Sequence, residues 1–127
     1  MADVSAMPHE IAMAPDPRGE ISLTPAVGLH CGHYYYQFDR ARLRQLAPAE
    51  INDGCACVRA VLDQGDAQAP ARMQTWLVSG HKADFGLLLL DGDPLKIDGV
   101  HQRLMSGPLG SAIHPVWSFV SMTEVSE

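Results

Sequence analysis

The stretch Trp76-Leu-Val-Ser-Gly-His-Lys-Ala-Asp-Phe-Gly-Leu-Leu-Leu-Leu90 decides the fold. Met73 to Ser79 reads as a short strand, Gly80-His81-Lys82 as a turn, and Ala83 to Leu90 as a second strand. The continuous run Leu87-Leu88-Leu89-Leu90 makes that second strand apolar on both faces, the pattern of a central strand covered on either side. Towards the amino terminus, Ile51, Cys55, Val58 and Leu62 fall at helical spacing after Pro48 and continue to Gly65, with Asp39 placed as a cap at the start of this helical region. Before that, His30 to Phe38 (His-Cys-Gly-His-Tyr-Tyr-Tyr-Gln-Phe) is rich in aromatics that suit a pleated, half-buried surface, and its three tyrosines must divide between two faces.

Towards the carboxyl terminus, Asp93 followed by Pro94 is a cap and a first-turn proline. Leu95, Ile97, Val100, Leu104 and Met105 then form an apolar stripe, and Gly107 with Pro108 ends the helix. Gly99 inside it costs about 1 kcal/mol relative to Ala. His114 to Val125 carries Val116, Trp117, Phe119 and Val120 between small hydroxyl residues and reads as the last strand. Residues 1–29 hold Pro8, Pro15, Pro17 and Pro25 without a sustained period, and read as a flexible or partner-bound arm.

The order strand, helix, strand, strand, helix, strand predicts an α+β fold over residues 30–127. It is the ferredoxin-like arrangement, a four-stranded antiparallel sheet with both helices on one face, of the dimeric α+β barrel type. The other face then has no helix to cover it. Tyr34, Tyr36, Trp117 and Phe119 are the residues expected there, and an apolar surface of that kind marks an interface or a ligand groove. Burying several such rings at about 25 cal/mol per Å2 is enough to drive assembly, so an interface is the preferred reading over a porphyrin or other flat ligand stacked on them.

Composition narrows the function. The chain has 127 residues, 46% of them apolar, which suffices for one core and one domain. No apolar run approaches the roughly 18 to 20 residues a membrane-spanning helix needs. The formal charge is −6, and the nine basic residues are scattered rather than clustered, so nucleic acid is not an expected partner. Met1 to Pro17 carries Asp3, Glu10 and Asp16 with no Lys or Arg, unlike a secretory signal, and a cytoplasmic location is expected. The odd count of cysteines, Cys31, Cys55 and Cys57, fits reduced thiols better than a disulfide framework.

The chemical-looking residues are few. Cys31 and His33 share one face of a strand while His30 points away, so these three make a poor metal cluster and no metal site is expected. Cys55 and Cys57 lie about 200° apart around a helix, and Cys55 reads as a packing residue. Gly80, His81, Lys82 and Asp84 form a turn in which Asp84 bonds backbone amides, a structural motif rather than an acid–base group, since no nucleophile accompanies it. Gly107-Pro108-Leu109-Gly110 lacks the spacing of a phosphate cradle. No residue is expected to be catalytic.

Three segments together resemble a known family. Trp76 to Leu90, Gly107 to Gly110 and Pro115-Val-Trp-Ser-Phe-Val-Ser-Met-Thr-Glu-Val-Ser-Glu127 resemble the chlorite dismutases and coproheme decarboxylases, most specifically at Gly80-His81-Lys82-Ala83-Asp84 and Ser121 to Ser126. The resemblance runs over about residues 30–127 and is weakest around the first helix. It implies two fused ferredoxin-like halves per subunit, with the heme ligand and reactive residues in the carboxy-terminal half, so this chain is similar to the heme-free amino-terminal half.

The end of that half's last strand reaches towards the porphyrin propionates, which would bring Ser126 and Glu127 to the cofactor side. Decarboxylases tend to have Tyr or Leu, then Asn, at the positions of Val125 and Glu127, and a carboxylate facing a propionate is repulsive unless protonated or bridged. The resemblance therefore implies a non-catalytic structural subunit, with heme or coproheme bound by a separate heme-binding half or within a homo-oligomer. The chemistry of such a complex would be peroxide-driven decarboxylation of coproheme or, second to it, chlorite decomposition. Two alternatives stand beside this: a small self-assembling barrel that binds heme itself through His33, His81, His101 or His114, and a structural or regulatory module without porphyrin.

Overall fold

The computed structural model describes residues 28–123. Four strands and three helices follow in the order β1 (His30–Phe38), α1 (Arg40–Gln45), α2 (Pro48–Val61), β2 (Arg72–Leu77), β3 (Phe85–Asp91), α3 (Pro94–Ser106) and β4 (Ile113–Met122), with a 3₁₀ turn at Gly110–Ala112 before the last strand. The sheet order is β2-β3-β1-β4 and every pairing is antiparallel. The expected ferredoxin-like α+β arrangement is found.

The first helical region is split, because Pro48 disfavours the helical conformation in the residue before it. Ala47 is accordingly extended, with φ −67° and ψ 150°, and α2 starts afresh at Pro48. Asp39 caps the short α1, its carboxylate accepting the Arg42 amide at 2.9 Å. α2 stops at Val61, short of the expected Gly65, in a segment where Asp63 and Asp66 accept the amides of Gly65 and Gln68 and fold the chain into turns. α3 begins as its sequence implies, with the Asp93 carboxylate accepting the Leu95 amide at 2.9 Å.

The register sorts the side chains into two faces. Tyr36 pairs with Phe85, Tyr34 with Leu87 and Gly32 with Leu89, so these residues point to the helix side. Tyr36, Leu87, Leu89, Val100, Leu104 and Ile113 are essentially inaccessible there. Each fully buried aliphatic side chain of this size contributes about 1.5–3 kcal/mol. Buried Asp91 ties two connections to the sheet, one oxygen accepting the Ala71 amide at 2.8 Å and the other the Asp93 amide at 2.7 Å.

This phase corrects one expectation. Tyr34 and Tyr36 do not line the uncovered face: Tyr36 is fully buried under the helices and Tyr34 packs against the same core. Because side chains alternate along a strand, His33 and Tyr35 take their place on the open side.

Candidate functional site

The open face of the sheet carries a continuous row of rings drawn from three strands. Trp76 of β2 meets Tyr35 of β1 edge-on at 5.8 Å between centroids, and Tyr35 stacks on Trp117 of β4 at 5.5 Å. Trp117 lies 5.1 Å from Phe119, which stacks on the His33 ring at 4.0 Å. Among the described residues no helix covers this row: Trp117 is 61% and Phe119 39% exposed.

The row depends on Gly86. A Cβ there would fall 2.6 Å from the Trp76 indole, so only glycine lets the ring lie flat across β3. A recess of about 360 Å3 opens beside Tyr35, Val116 and Trp117, with Lys82 in its wall.

Trp117 and Phe119 thus stand where the sequence put them. The turn also has a structural arrangement: Asp84 accepts the Phe38 amide at 2.7 Å and an Arg40 guanidinium hydrogen bond at 3.3 Å, while Gly80 adopts φ +124° and His81 and Lys82 are exposed. Asp84 therefore holds the end of β1 rather than the turn's own amides. Cys31 is buried with its thiol 4.0 Å from the Leu29 carbonyl, and Cys55 is exposed rather than packed in the core. Among the described residues no group of three His, Cys, Asp or Glu side chains is placed to hold a metal. Ser126 and Glu127, and all of the amino-terminal arm except Gly28 and Leu29, lie outside the described residues.

A feature that sequence reasoning missed lies under the helices. The Tyr36 hydroxyl is 2.8 Å from His101 Nδ1, and the Tyr34 ring stacks on the same imidazole at 5.4 Å. Burial pushes the Tyr36 phenol well above its ordinary range, with the charges of Tyr34 and Asp98 adding to the effect; burial and then Asp98 raise Tyr34 too. The available signal was position: His101 follows Ile97 by four residues, on the buried stripe of α3. At the other end of the sheet, Asp39 is held below the usual carboxylate range, first by the Arg42 amide and then by the His114 side chain at 3.2 Å.

Four histidines among the described residues are candidate axial ligands, and the structure places each of them against a neighbouring side chain or on the surface. His33 lies flat on Phe119, His101 is engaged by Tyr36, His114 bridges to Asp39 and His81 is exposed on a turn. The recesses beside Lys96, beside Trp117 and beside Leu62 are not lined by a histidine. The recess of about 510 Å3 between α2 and the β2 edge has mainly apolar walls including Val58, Leu62, Leu77 and Leu109. No nucleophile and base converge there.

Among the described residues no helix is long and apolar enough to cross a membrane. No curated protein matches the chain. Among solved structures, a heme-binding protein from Thermus thermophilus is similar, with TM-score 0.61 and 23% identity over 75% of this chain and 40% of that one. Two variants of chlorite dismutase from Candidatus Nitrospira defluvii superpose with TM-score 0.65 at 11% identity, covering 78% and 94% of this chain but 41% and 45% of theirs. At such identities the likeness is one of fold, and the chain spans less than half the length of each. The sequence itself carries the relationship further, since the family model described as chlorite dismutase matches residues 51–127, from the second turn of α2 through the exposed aromatic strand β4, more than half of the chain. On that match, the chain belongs to the chlorite dismutase family.

Proposed function

We propose that this domain is the non-catalytic scaffold half of a heme-binding assembly, and that its open sheet face docks against a complementary, heme-bearing half. The observation that carries this reading is the ring row from Trp76 to His33, with Trp117 and Phe119 exposed, on a sheet face that no helix of the described residues covers. Two sheets pack face to face at about 10 Å with interdigitating side chains, and a row of this kind supplies one side of such a layer. The similar structures are more than twice as long as the part this chain matches, and one of them is described as heme-binding. The reading assigns the iron ligand to the other half, since His33, His101 and His114 of this chain are each engaged by a neighbouring side chain.

In the assembly the cofactor supplies the redox chemistry, with peroxide-dependent coproheme decarboxylation as the preferred reaction and chlorite decomposition as the second. This domain's own contribution is to exclude water from the sheet-to-sheet layer and to fix the wall of the heme-bearing half. A second reading, assembly of two copies through the same face, uses the same rings.

The test is a heme and coproheme titration of the domain alone and together with the carboxy-terminal half of a family member, followed by light scattering on the products. The expected result is no stoichiometric Soret band for the domain alone and a defined complex with porphyrin when both halves are present. One porphyrin bound per copy of the isolated domain would overturn the scaffold reading and return attention to the histidines.

A further inference from the structure

We infer that the outer edge of β4 is a self-pairing surface, through which two copies of this chain join antiparallel about a twofold axis at Val120 into one continuous sheet. In the order β2-β3-β1-β4, β4 is an edge strand among the described residues. The Thr123 amide donates to the Leu29 carbonyl at 2.8 Å, so Thr123 turns its ladder groups towards β1. Ladder groups alternate along a strand, and Ser118, Val120 and Met122 therefore turn their N–H and C=O groups outward. The phase of β1 agrees, since the Tyr36 carbonyl accepts the Asp84 amide at 2.8 Å on the β3 side. At the start of β4, beyond the register shift at Tyr35/Tyr36, the Asp39 amide donates to the Ala112 carbonyl at 2.8 Å, which puts the nitrogen of Pro115 on the outer edge and ends the free ladder there.

Natural sheet edges are guarded by shortness, charge or cover. β2, at the other edge, has six residues and carries Arg72. β4 has ten residues and no Asp, Glu, Lys or Arg, and it leaves apolar side chains in water on both faces. Val120 is 70% and Met122 50% exposed on the helix side, with Trp117 and Phe119 exposed on the other. Such an edge is a template for a further strand, and its own sequence fits it. About Val120, an antiparallel copy sets Phe119 opposite the partner's Ser121, Trp117 opposite the partner's Thr123 and Met122 opposite the partner's Ser118. Every large side chain then meets a small one, no charge faces a like charge, and the two Val120 side chains meet at the axis. Centring the pair on Ser118 instead would set Phe119 against the partner's Trp117 and run the ladder into Pro115.

A twofold interface of this kind closes at two copies. The new outer edges are the two short β2 strands with Arg72, which stop further growth. The axis is perpendicular to the sheet, so both open faces lie on the same side and remain available. The inference uses the strand edge and does not rest on the docking reading. Trp117 and Phe119 together leave only roughly 200 Å2 per copy to be covered, against about 800 Å2 per partner in a standard interface, so the dimer is a reversible one with a micromolar dissociation constant.

The experiment is light scattering on the intact chain over a concentration series, with backbone hydrogen exchange read by nuclear magnetic resonance. The wild type should pass from one copy to two in the micromolar range. The amides of Ser118, Val120 and Met122 should gain protection as it does, whereas those of Phe119 and Ser121, bonded to β1, should be protected throughout. Val120→Lys sets two like charges face to face and should weaken the dimer about tenfold or more. Mixing Val120→Lys with Val120→Glu should restore a two-copy species, because position 120 opposes itself. Trp76→Thr, on the open face but three strands away, should leave the dimer intact. A chain that stays monomeric, growth into polymers, or a charge mixture that does not associate would overturn the inference. So would protection of the three outward amides in the monomer, which would give the edge to another segment of this chain. Dimers lost in Trp76→Thr but kept in Val120→Lys would overturn it in favour of face-to-face assembly. The wild-type exchange pattern decides the matter even if a variant fails to fold.

Discussion

Replacing Trp117 with Thr should separate the stability of the domain from its ability to assemble. A tryptophan carries about 250 Å2 of surface, so 61% exposure leaves roughly 150 Å2 of ring in water, worth at most about 4 kcal/mol if docking buries all of it. Association and imperfect packing consume part of that, and about 2 kcal/mol, or roughly a 30-fold weaker dissociation constant, is the expected loss. Thr is β-branched and suits a strand, and the folded domain should lose only about 1 kcal/mol through the missing contacts with Tyr35 and Phe119. The control is Leu77→Thr. Leu77 is 88% exposed, more than Trp117, but its pairing with Phe85 puts it on the helix side of the sheet. Isothermal titration against the heme-bearing half would measure affinity, and urea unfolding of the domain alone would measure stability. Weakening by Leu77→Thr equal to that by Trp117→Thr would show general stickiness and refute the face-specific argument, as would full affinity in Trp117→Thr.

Three further outcomes follow from particular contacts. Gly86→Ala should lift Trp76 off β3, seen as increased acrylamide quenching of tryptophan fluorescence; unchanged quenching would mean that the indole does not rest on Gly86. Gly99→Ala, on a helical residue whose Cβ would meet nothing within 4 Å, should stabilise the domain by about 0.5–1 kcal/mol in urea unfolding, and a loss of stability would contradict the open environment of that position. Tyr34 and Tyr36 should titrate above the ordinary phenol value of 10.0. Folding favours their protonated forms, so their contribution is complete below about pH 10 and is lost as pH rises and the unfolded chain ionises first; a flat stability profile from pH 9 to 11 would count against it.

Much of the fold was legible because it rests on local signals. The Leu87–Leu90 run, the Asp93-Pro94 start and the spacing of Ile97, Val100 and Leu104 each impose an element whatever the rest of the chain does, and all three act as expected. The phase of Tyr34-Tyr35-Tyr36 was not legible. Three identical neighbours carry no alternation, so which of them faces the helices depends on pairing with β3 and β4, and the β1–β4 register itself shifts between Tyr35 and Tyr36. For the same reason the open row was only half anticipated: Trp117 and Phe119 were, whereas His33 and Trp76 join it through cross-strand contacts. The Tyr36–His101 pair joins residues 65 positions apart and leaves only a faint trace, a histidine on an apolar stripe.

The most direct measurement is a side-chain footprint. Hydroxyl-radical oxidation of the domain, with and without the heme-bearing half and read by mass spectrometry, reports the burial of Trp76, Tyr35, Trp117 and Phe119 against that of Leu77 and Leu95 on the helix side. The account predicts strong protection of the four rings and none of the two leucines. Protection of the leucines with the rings left reactive would contradict it.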